Sequence, residues 1–513
     1  MRKWWIVTVF LPLLSFGQQN FTFLHTFYKD ALLSPSVMTK ADDGFFPKRE
    51  SQFTLDKAFK DSTVFYYEFL DVLFKKHAYE TTEGEVKFAV SPILDGRAGE
   101  DFVRNDDELL FQNTRGFYVQ VDLGNKISFS TSLFENQARF STYESAFISS
   151  RGEFYFKNNL TEYRQDNGVV PGAARTKPFK DNGFDYAFAI GNCTYQPKDW
   201  WTISIGNNRH FIGSGYRSLL LSDNSGSAPY LRSDFKIGKL FSFHYLRAQG
   251  LNLVRKRQKT TVEAYYQPKG IAINYLTFTP HKSVAISLFD GGIWRKGDSL
   301  VTSPVHPMYF NPIPFLGNIM KDSTLLSIQG INLDVVLSKN FRLYGQYAIT
   351  ELDKNKQAFQ VGIRMYDLFK IKKSLLQLEF NHVDAGMYEK APLFMSYSHY
   401  NLPLAHPKGS GFNEFVVRST YEWKRLYYDF RFIYYQLRQY NDNVLLPIQL
   451  SPTSYDNDII YSNLEVGYRM NKKMNLDFFV NLLMRNPTRT SNDANGCIYF
   501  GMKTAILNHY NDY

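Results

Sequence analysis

From Glu85 onward, apolar and polar residues alternate with a period of two. FYVQVDL puts Phe117, Val119, Val121 and Leu123 on one face and Tyr118, Gln120 and Asp122 on the other. Gly124-Asn125 supplies a two-residue hairpin turn. KISFSTSLF then returns with Ile127, Phe129, Thr131 and Leu133 against Ser128, Ser130 and Ser132. One apolar face and one small or polar face is the pattern of a strand with lipid on one side and a polar interior on the other. The pattern recurs in GIAINYLTF (270–278) and SVAISLF (283–289), which flank the turn TPHK. It recurs again in INLDVVLSKNFRLYGQYAI (331–349), which turns at Ser338 to Asn340. LYYDFRFIYYQLR (426–438), NLEVGYRMNKKMNLDFFVNLLM (463–484) and CIYFGMKTAIL (497–507) continue it. Such segments number about 18 between Glu85 and Leu507, with 16 as the alternative, each near the ~9–11 residues that a tilted strand needs. The expected fold is therefore all-β: a closed antiparallel transmembrane β-barrel over 85–507, because an even strand number leaves no open edge in lipid. Tight connections (LGNK, RMNKKM) alternate with long ones (136–183, 207–233, 290–325, 383–412), as short periplasmic turns and long outer loops do.

The period differs before Glu85. LDKAFKDSTVFYYEFLDVLFKKH (55–77) carries Phe65, Phe69, Val72 and Leu73 at helical spacing. Residues 18–84 read as a small N-terminal periplasmic segment with this helix packed on the barrel. At the start, Arg2 and Lys3 precede an apolar run from Trp4 to Leu14, and Ser15-Phe16-Gly17 is a small-x-small cleavage signal. These features predict a signal peptide over 1–17 cut between Gly17 and Gln18; a retained signal anchor is the alternative. The run is too short to span a bilayer as a helix, and no Cys follows the cut to carry a lipid. Residues 508–513 read as a short tail.

Composition sharpens this picture. No 18-residue apolar stretch follows Gly17, which excludes a helical membrane protein. Aromatics make up 17% of the chain, with 45 Phe and 35 Tyr, an excess that suits the girdles of a membrane barrel, though a soluble sandwich or propeller can also be aromatic-rich. Net charge is +10, or +8 without Arg2 and Lys3. The only tight basic cluster is Arg255-Lys256-Arg257. For an exported chain this points to acidic glycans or lipid phosphates as partners, not nucleic acid. Cys193 and Cys497 have no metal-site spacing, and whether they pair is open from sequence. No cofactor motif is present.

RHFIGSGYRSLLLSDNSGSAPYLR (209–232) holds paired glycines and three arginines. GSGYRS lacks the Lys-Ser/Thr and the spacing of a phosphate loop, so Gly213 or Gly215 reads as a turn position with positive φ. Arg209, Arg217 and Arg232 suit carboxylates or phosphates, and Asp223 and Asn224 suit sugar hydroxyls. The competing reading is an internal charge network that wires an inward loop to the barrel wall, with Leu219 to Leu221 as its anchor. SYSHYNLPLAHPKGSGFNEF (396–415) offers His399, Asn401 and His406 as further ligand contacts. A hydrolase set of Ser396, His399 and Asn401 is crowded into six residues, and a metal set of His399, His406 and Glu414 matches no ligand spacing. Neither is expected. HPMYFNPIPF (306–315) reads equally as a sugar-stacking loop or a hydrophobic plug.

SIGNNRHFIGSGYRSLLLSDNSGSAPYLR (204–232), YLTFTPHKSVAISLFDGGIW (275–294), HPMYFNPIPF (306–315), YSHYNLPLAHPKGSGFNEF (397–415) and VVPGAARTKPF (169–179) together resemble the Wzi-like capsule-assembly outer-membrane barrels. The resemblance is strongest to the RemB-type gliding-motility proteins of Bacteroidota. It implies a barrel of about 18 strands in the outer membrane, with helices on the periplasmic side and no active site or cofactor. It also implies a role in holding surface polysaccharide, or in gliding together with type IX secretion envelope proteins, among outer-membrane lipid and lipopolysaccharide. The residues expected to touch an acidic glycan are Arg209, Arg217, Asp223, Asn224, Arg232, Arg255, Arg257, His399, Asn401 and His406. The rivals are a structural subunit of an envelope complex with no ligand of its own, a lipid or glycan hydrolase, and a diffusion channel. Little conductance is expected, because 207–233 and 383–412 should fold inward.

Overall fold

A computed structural model describes residues 19–52, 66–103, 109–156, 163–255, 266–296, 305–316, 324–350, 356–390, 395–441, 455–488 and 494–513. Gly17, Gln18, Arg257 and the first half of the expected helix lie outside them. Eighteen strands of 8 to 17 residues form one closed antiparallel wall, from Val86–Asp101 to Asn495–Thr504. The last strand pairs with the first, Cys497 opposite Asp101, and closes the sheet. Below that contact, Tyr79–Glu83 pairs with the lower part of the first strand and continues the wall.

The alternation read from the sequence is the alternation of the wall. Leu110–Leu123 and Ile127–Arg139 pair around Gly124, whose φ is +60°, with Phe117 opposite Leu133. Phe117, Leu123 and Phe129 are exposed on the outside. Inside, Tyr118 donates to Gln120 at 2.9 Å, Gln120 to Asp122 at 2.9 Å and Ser128 to Asp122 at 2.5 Å. Trp200, Trp201, Phe235 and Phe243 stack along the outer face near the short turns, where an aromatic girdle belongs.

Several boundaries differ from the sequence pattern. Tyr266–His281 runs through the expected turn and, after an irregularity beyond Phe278, turns at 282–283. The last strand stops at Thr504, not Leu507. The long connections are shorter than alternation suggested, since strands continue to Arg139, Asn208 and Arg295 and resume at Ala228 and Ser410. The described helix near 55–77 is Glu68–Phe74 alone. It touches the wall through Asn471, which donates to the carbonyls of Val72 and Lys76, and through Arg425 over the Phe74 ring. Phe69, placed on the packed face by its spacing, is 64% exposed. Cys193 and Cys497 are unpaired on separate strands.

Chain segments occupy much of the lumen. Residues 19–52 were expected beneath the barrel and instead enter it. The helix Thr26–Leu33, capped by the His25 ring, sends Asp30 to Arg364 at 2.7 Å and Arg418 at 2.5 Å on the inner wall. Phe45–Phe46 forms a two-residue ladder with Phe211–Ile212. Residues 209–227 and 395–409 fold in from the long-connection end. Residues 505–513 also turn inward and place the Tyr513 ring on Phe147 at 3.9 Å between centroids.

Candidate functional site

The inward loop 209–227 is held by polar side chains that alternation aims into the lumen. Glu379 accepts from the backbone N–H groups of Tyr216 (2.7 Å) and Arg217 (3.0 Å). Gln346 accepts from the Leu219 N–H and donates to the Ile212 carbonyl, both at 2.8 Å. Lys29 donates to the Gly215 carbonyl at 2.6 Å. These bonds supply the partners that a loop backbone away from water requires. Gly213 adopts φ +117°, and a Cβ there would collide with the Gln346 amide. Gly215 has no positive φ; it is needed because a Cβ would meet the Arg217 carbonyl and Glu379. Leu219 and Leu220 are fully buried.

The arginines of this stretch make internal contacts. Arg217 pairs with Glu414 at 3.1 Å and with Asp512, donates to Tyr435 at 2.8 Å, and lies over the Tyr216 and Tyr510 rings. Arg232 pairs with Asp234 at 2.8 Å, donates to the Pro47 carbonyl and covers Phe45. Arg209 donates to the Asp223 carbonyl at 3.1 Å. The Asp223 carboxylate accepts from Asn508 and Tyr510, each at 2.8 Å. The Asn224 carbonyl accepts from the Gly172 N–H at 2.6 Å.

The second inward loop is equally committed. Ser398–His399 and Leu402–Pro403 pair around Tyr400-Asn401, both with positive φ. His399 Nδ1 accepts from the Leu251 N–H at 3.0 Å, and its Nε2 donates to the Ser227 carbonyl at 3.1 Å. Burial holds its pKa near 4, so the ring is neutral. Asn401 accepts from the Leu253 N–H and donates to the carbonyls of Arg151 and Gly152. Ser396 contacts Ser398 at 3.3 Å. These bonds leave Ser396, His399 and Asn401 each with different partners, not the relay that nucleophilic catalysis uses. His406 Nε2 lies 2.7 Å from Glu414, which joins it to the Arg217 network. Burial lowers its pKa, although Glu414 opposes this.

One expected residue stands at the outer mouth. Arg255, the last residue of Phe241–Arg255, donates to the buried Glu153 at 2.8 Å. Arg175 pairs with the same carboxylate, and Tyr155 donates to it at 3.0 Å. Burial pushes the Glu153 carboxyl up, but the two guanidiniums outweigh it and hold it below the usual range. Arg255 lies over the rings of Tyr155 (5.3 Å) and Tyr266 (5.1 Å), and Arg164 lies over Tyr155 at 4.9 Å. The Arg164 side chain is 70% exposed. The pattern missed Glu153, Tyr155, Arg164, Arg175 and Tyr266, although FYFKNNLTEYRQD (154–166) interleaves aromatic and charged residues as sugar-binding surfaces do.

HPMYFNPIPF takes neither expected place: it crosses the outside of the wall. Tyr245 and Arg247 share the outward face of Phe243, and they bind this strap. Arg247 donates to the carbonyls of Tyr309 and Asn311, each at 2.6 Å, and to Asn274 at 3.0 Å. Met308 is buried with Trp294, Ala272 and Leu325, while Phe310 is 69% and Ile313 58% exposed.

No family model and no curated protein matches the chain. Among solved structures it is similar to Wzi of Escherichia coli, an outer membrane protein involved in group 1 capsule assembly and described as a carbohydrate-binding β-barrel. The TM-score is 0.54 at 13% identity, over 95% of this chain and 100% of that one. OccAB4 of Acinetobacter baumannii and OpdQ of Pseudomonas aeruginosa each give a TM-score of 0.43 at 9% identity, over 82% of this chain and 98% of theirs. The eighteen-stranded closed wall and the likeness over the whole of Wzi together give this chain a Wzi-like transmembrane β-barrel fold.

Proposed function

We propose that this protein is a non-enzymatic outer-membrane barrel that holds an acidic surface polysaccharide at its outer mouth. The observation that carries this reading is the cluster of Arg164, Arg175 and Arg255 with Tyr155 and Tyr266. Aromatic faces suit sugar rings, and arginine forks suit uronate or phosphate groups. The carbohydrate-binding description of Wzi supports it. Arg209 and Arg217 serve the ligand at one remove, by fixing the loops beneath the mouth, and Arg232 by holding the N-terminal segment in the lumen. In cells, Arg164→Ala with Tyr155→Ala should release polysaccharide from the surface while the barrel still assembles; retention at the level of the unaltered protein contradicts the reading.

The second reading is a structural subunit of a gliding or type IX secretion envelope complex. The outward Phe310 and Ile313 of the strap favour it, because they offer a partner an apolar contact on the wall. Co-purification of envelope proteins in mild detergent, lost in Phe310→Ser with Ile313→Ser, separates it from the first.

A further inference from the structure

A cavity of about 200 Å³ lies in the lumen beside residues 505–513, away from the rim cluster. It far exceeds the ~10–15 Å³ that a single water requires. Four cationic side chains line it: Arg97, Arg209, Arg431 and Lys503. The carboxylates of its lining are Asp95, Asp429 and Glu465. Asp429 is shared by Arg418 (2.7 Å) and Arg431 (3.2 Å), and Glu465 is taken by Lys503 (2.5 Å) and Tyr427 (2.8 Å). Asp95 accepts from the Thr504 N–H at 2.7 Å. Among the described residues, neither Arg97 nor Arg209 has an ion pair. Arg209 is only 3% exposed, yet its Nε and Nη2 have no hydrogen-bond partner, and Arg97 Nε has none. Positive charge on the buried Arg209, with donors unspent, is costly unless an anion compensates it.

We propose that this cavity is an internal oxyanion site that takes one phosphate group on the Arg97 and Arg209 guanidiniums. Two forks with free N–H groups match the oxygens of a phosphate and discriminate against a spherical ion such as chloride. The His509 ring lines the same cavity, and its Nε2 also lacks a partner. Burial first, then Arg97, Arg209, Arg431 and Lys503, hold His509 at a pKa of about 3. Near pH 5 phosphate arrives as the monoanion, and its charge would offset part of that positive field and let the ring take up a proton, so occupancy carries its own signature. Entry is from the short-turn end. A second cavity, of about 410 Å³, shares His25, Thr26, Asp429, Glu465 and Lys503 with the first and reaches Lys372, Lys373 and Lys472.

The test is titration of the full chain in detergent with inorganic phosphate against a chloride background, followed by calorimetry in buffers of different ionisation enthalpy near pH 5. The expected result is saturable one-to-one binding, weakened at least tenfold in Arg209→Gln and in Arg97→Gln, with proton uptake that disappears in His509→Gln. Heat-modifiable gel migration confirms that each variant holds its barrel. Should Arg209→Gln fail to assemble, Arg97→Gln and the proton readout decide. A parallel titration with glucose 1-phosphate identifies the source: binding of both ligands assigns a sugar phosphomonoester, and binding of inorganic phosphate alone assigns the free ion. Absence of saturable binding, equal competition by chloride, or unchanged affinity in Arg97→Gln overturns the proposal.

Discussion

Two connections leave the same end of the barrel and finish on opposite sides of its wall. The inner loop, 209–227, is rich in Gly and Ser. Its free N–H groups are met by wall acceptors, Glu379 and Gln346. The outer strap, 305–316, has Pro307, Pro312 and Pro314 and therefore three fewer N–H groups to place. Its carbonyls are met by wall donors, Arg247 and Tyr245. Each loop hides its backbone in a water-poor place, so the wall beneath must offer the complementary polar group. The remaining apolar side chains part ways: leucines turn into the lumen, whereas Phe310 and Ile313 turn outward and stay exposed.

The largest effect is expected on the inner side. Arg217→Met takes the guanidinium away from the buried Glu414 and Asp512, and breaking such a buried pair costs about 3–5 kcal/mol. The thermal unfolding midpoint should fall clearly while the strap keeps its protease resistance. Arg247→Met, on the outer side, should cost about 1–3 kcal/mol through carbonyls left without a donor. Limited proteolysis should then cut within 305–316 and spare 209–227. If both loops become sensitive in either variant, the two sides are not independent and the comparison fails.

The last effect is a pH dependence at Lys29, read as a slope of stability against pH and not as a loss at one pH. Burial lowers its pKa to about 7 from the usual 10.5. Between those values the unfolded chain binds more protons than the folded one, so this group makes stability rise with pH from about 7 to about 10.5. Below pH 7 Lys29 adds no slope of its own. Lys29→Met should flatten that part of the stability profile; an unchanged profile would show that the residue titrates normally.

The wall was legible because each strand carries its own period, as in Phe117 to Leu123. The inner faces were equally legible in principle: Asn332, Asp334, Gln346, Gln360, Glu379 and Glu414 stand at inward positions, and most of them hold a loop. The pairing was not legible. Arg217 and Asp512 are 295 positions apart, and local pattern contains nothing about which inward group a loop will meet. The same blindness hid the strap, since a Pro-rich aromatic segment reads alike whether it plugs a lumen or covers a wall. At the rim, Arg255 stood out by its basic neighbours, whereas Tyr266 joined it from the neighbouring strand across a long connection and Tyr155 only once a short hairpin docked on the strand end.

Both readings of function rest on a lumen closed by its own loops, which leaves the outer mouth and the wall as the working surfaces. Planar-bilayer recording of the purified full chain tests that closure most directly. The unaltered protein should show no steady open-pore conductance, and Arg217→Met should introduce open events as the loop loses its anchor. Steady porin-like conductance in the unaltered protein would contradict the account.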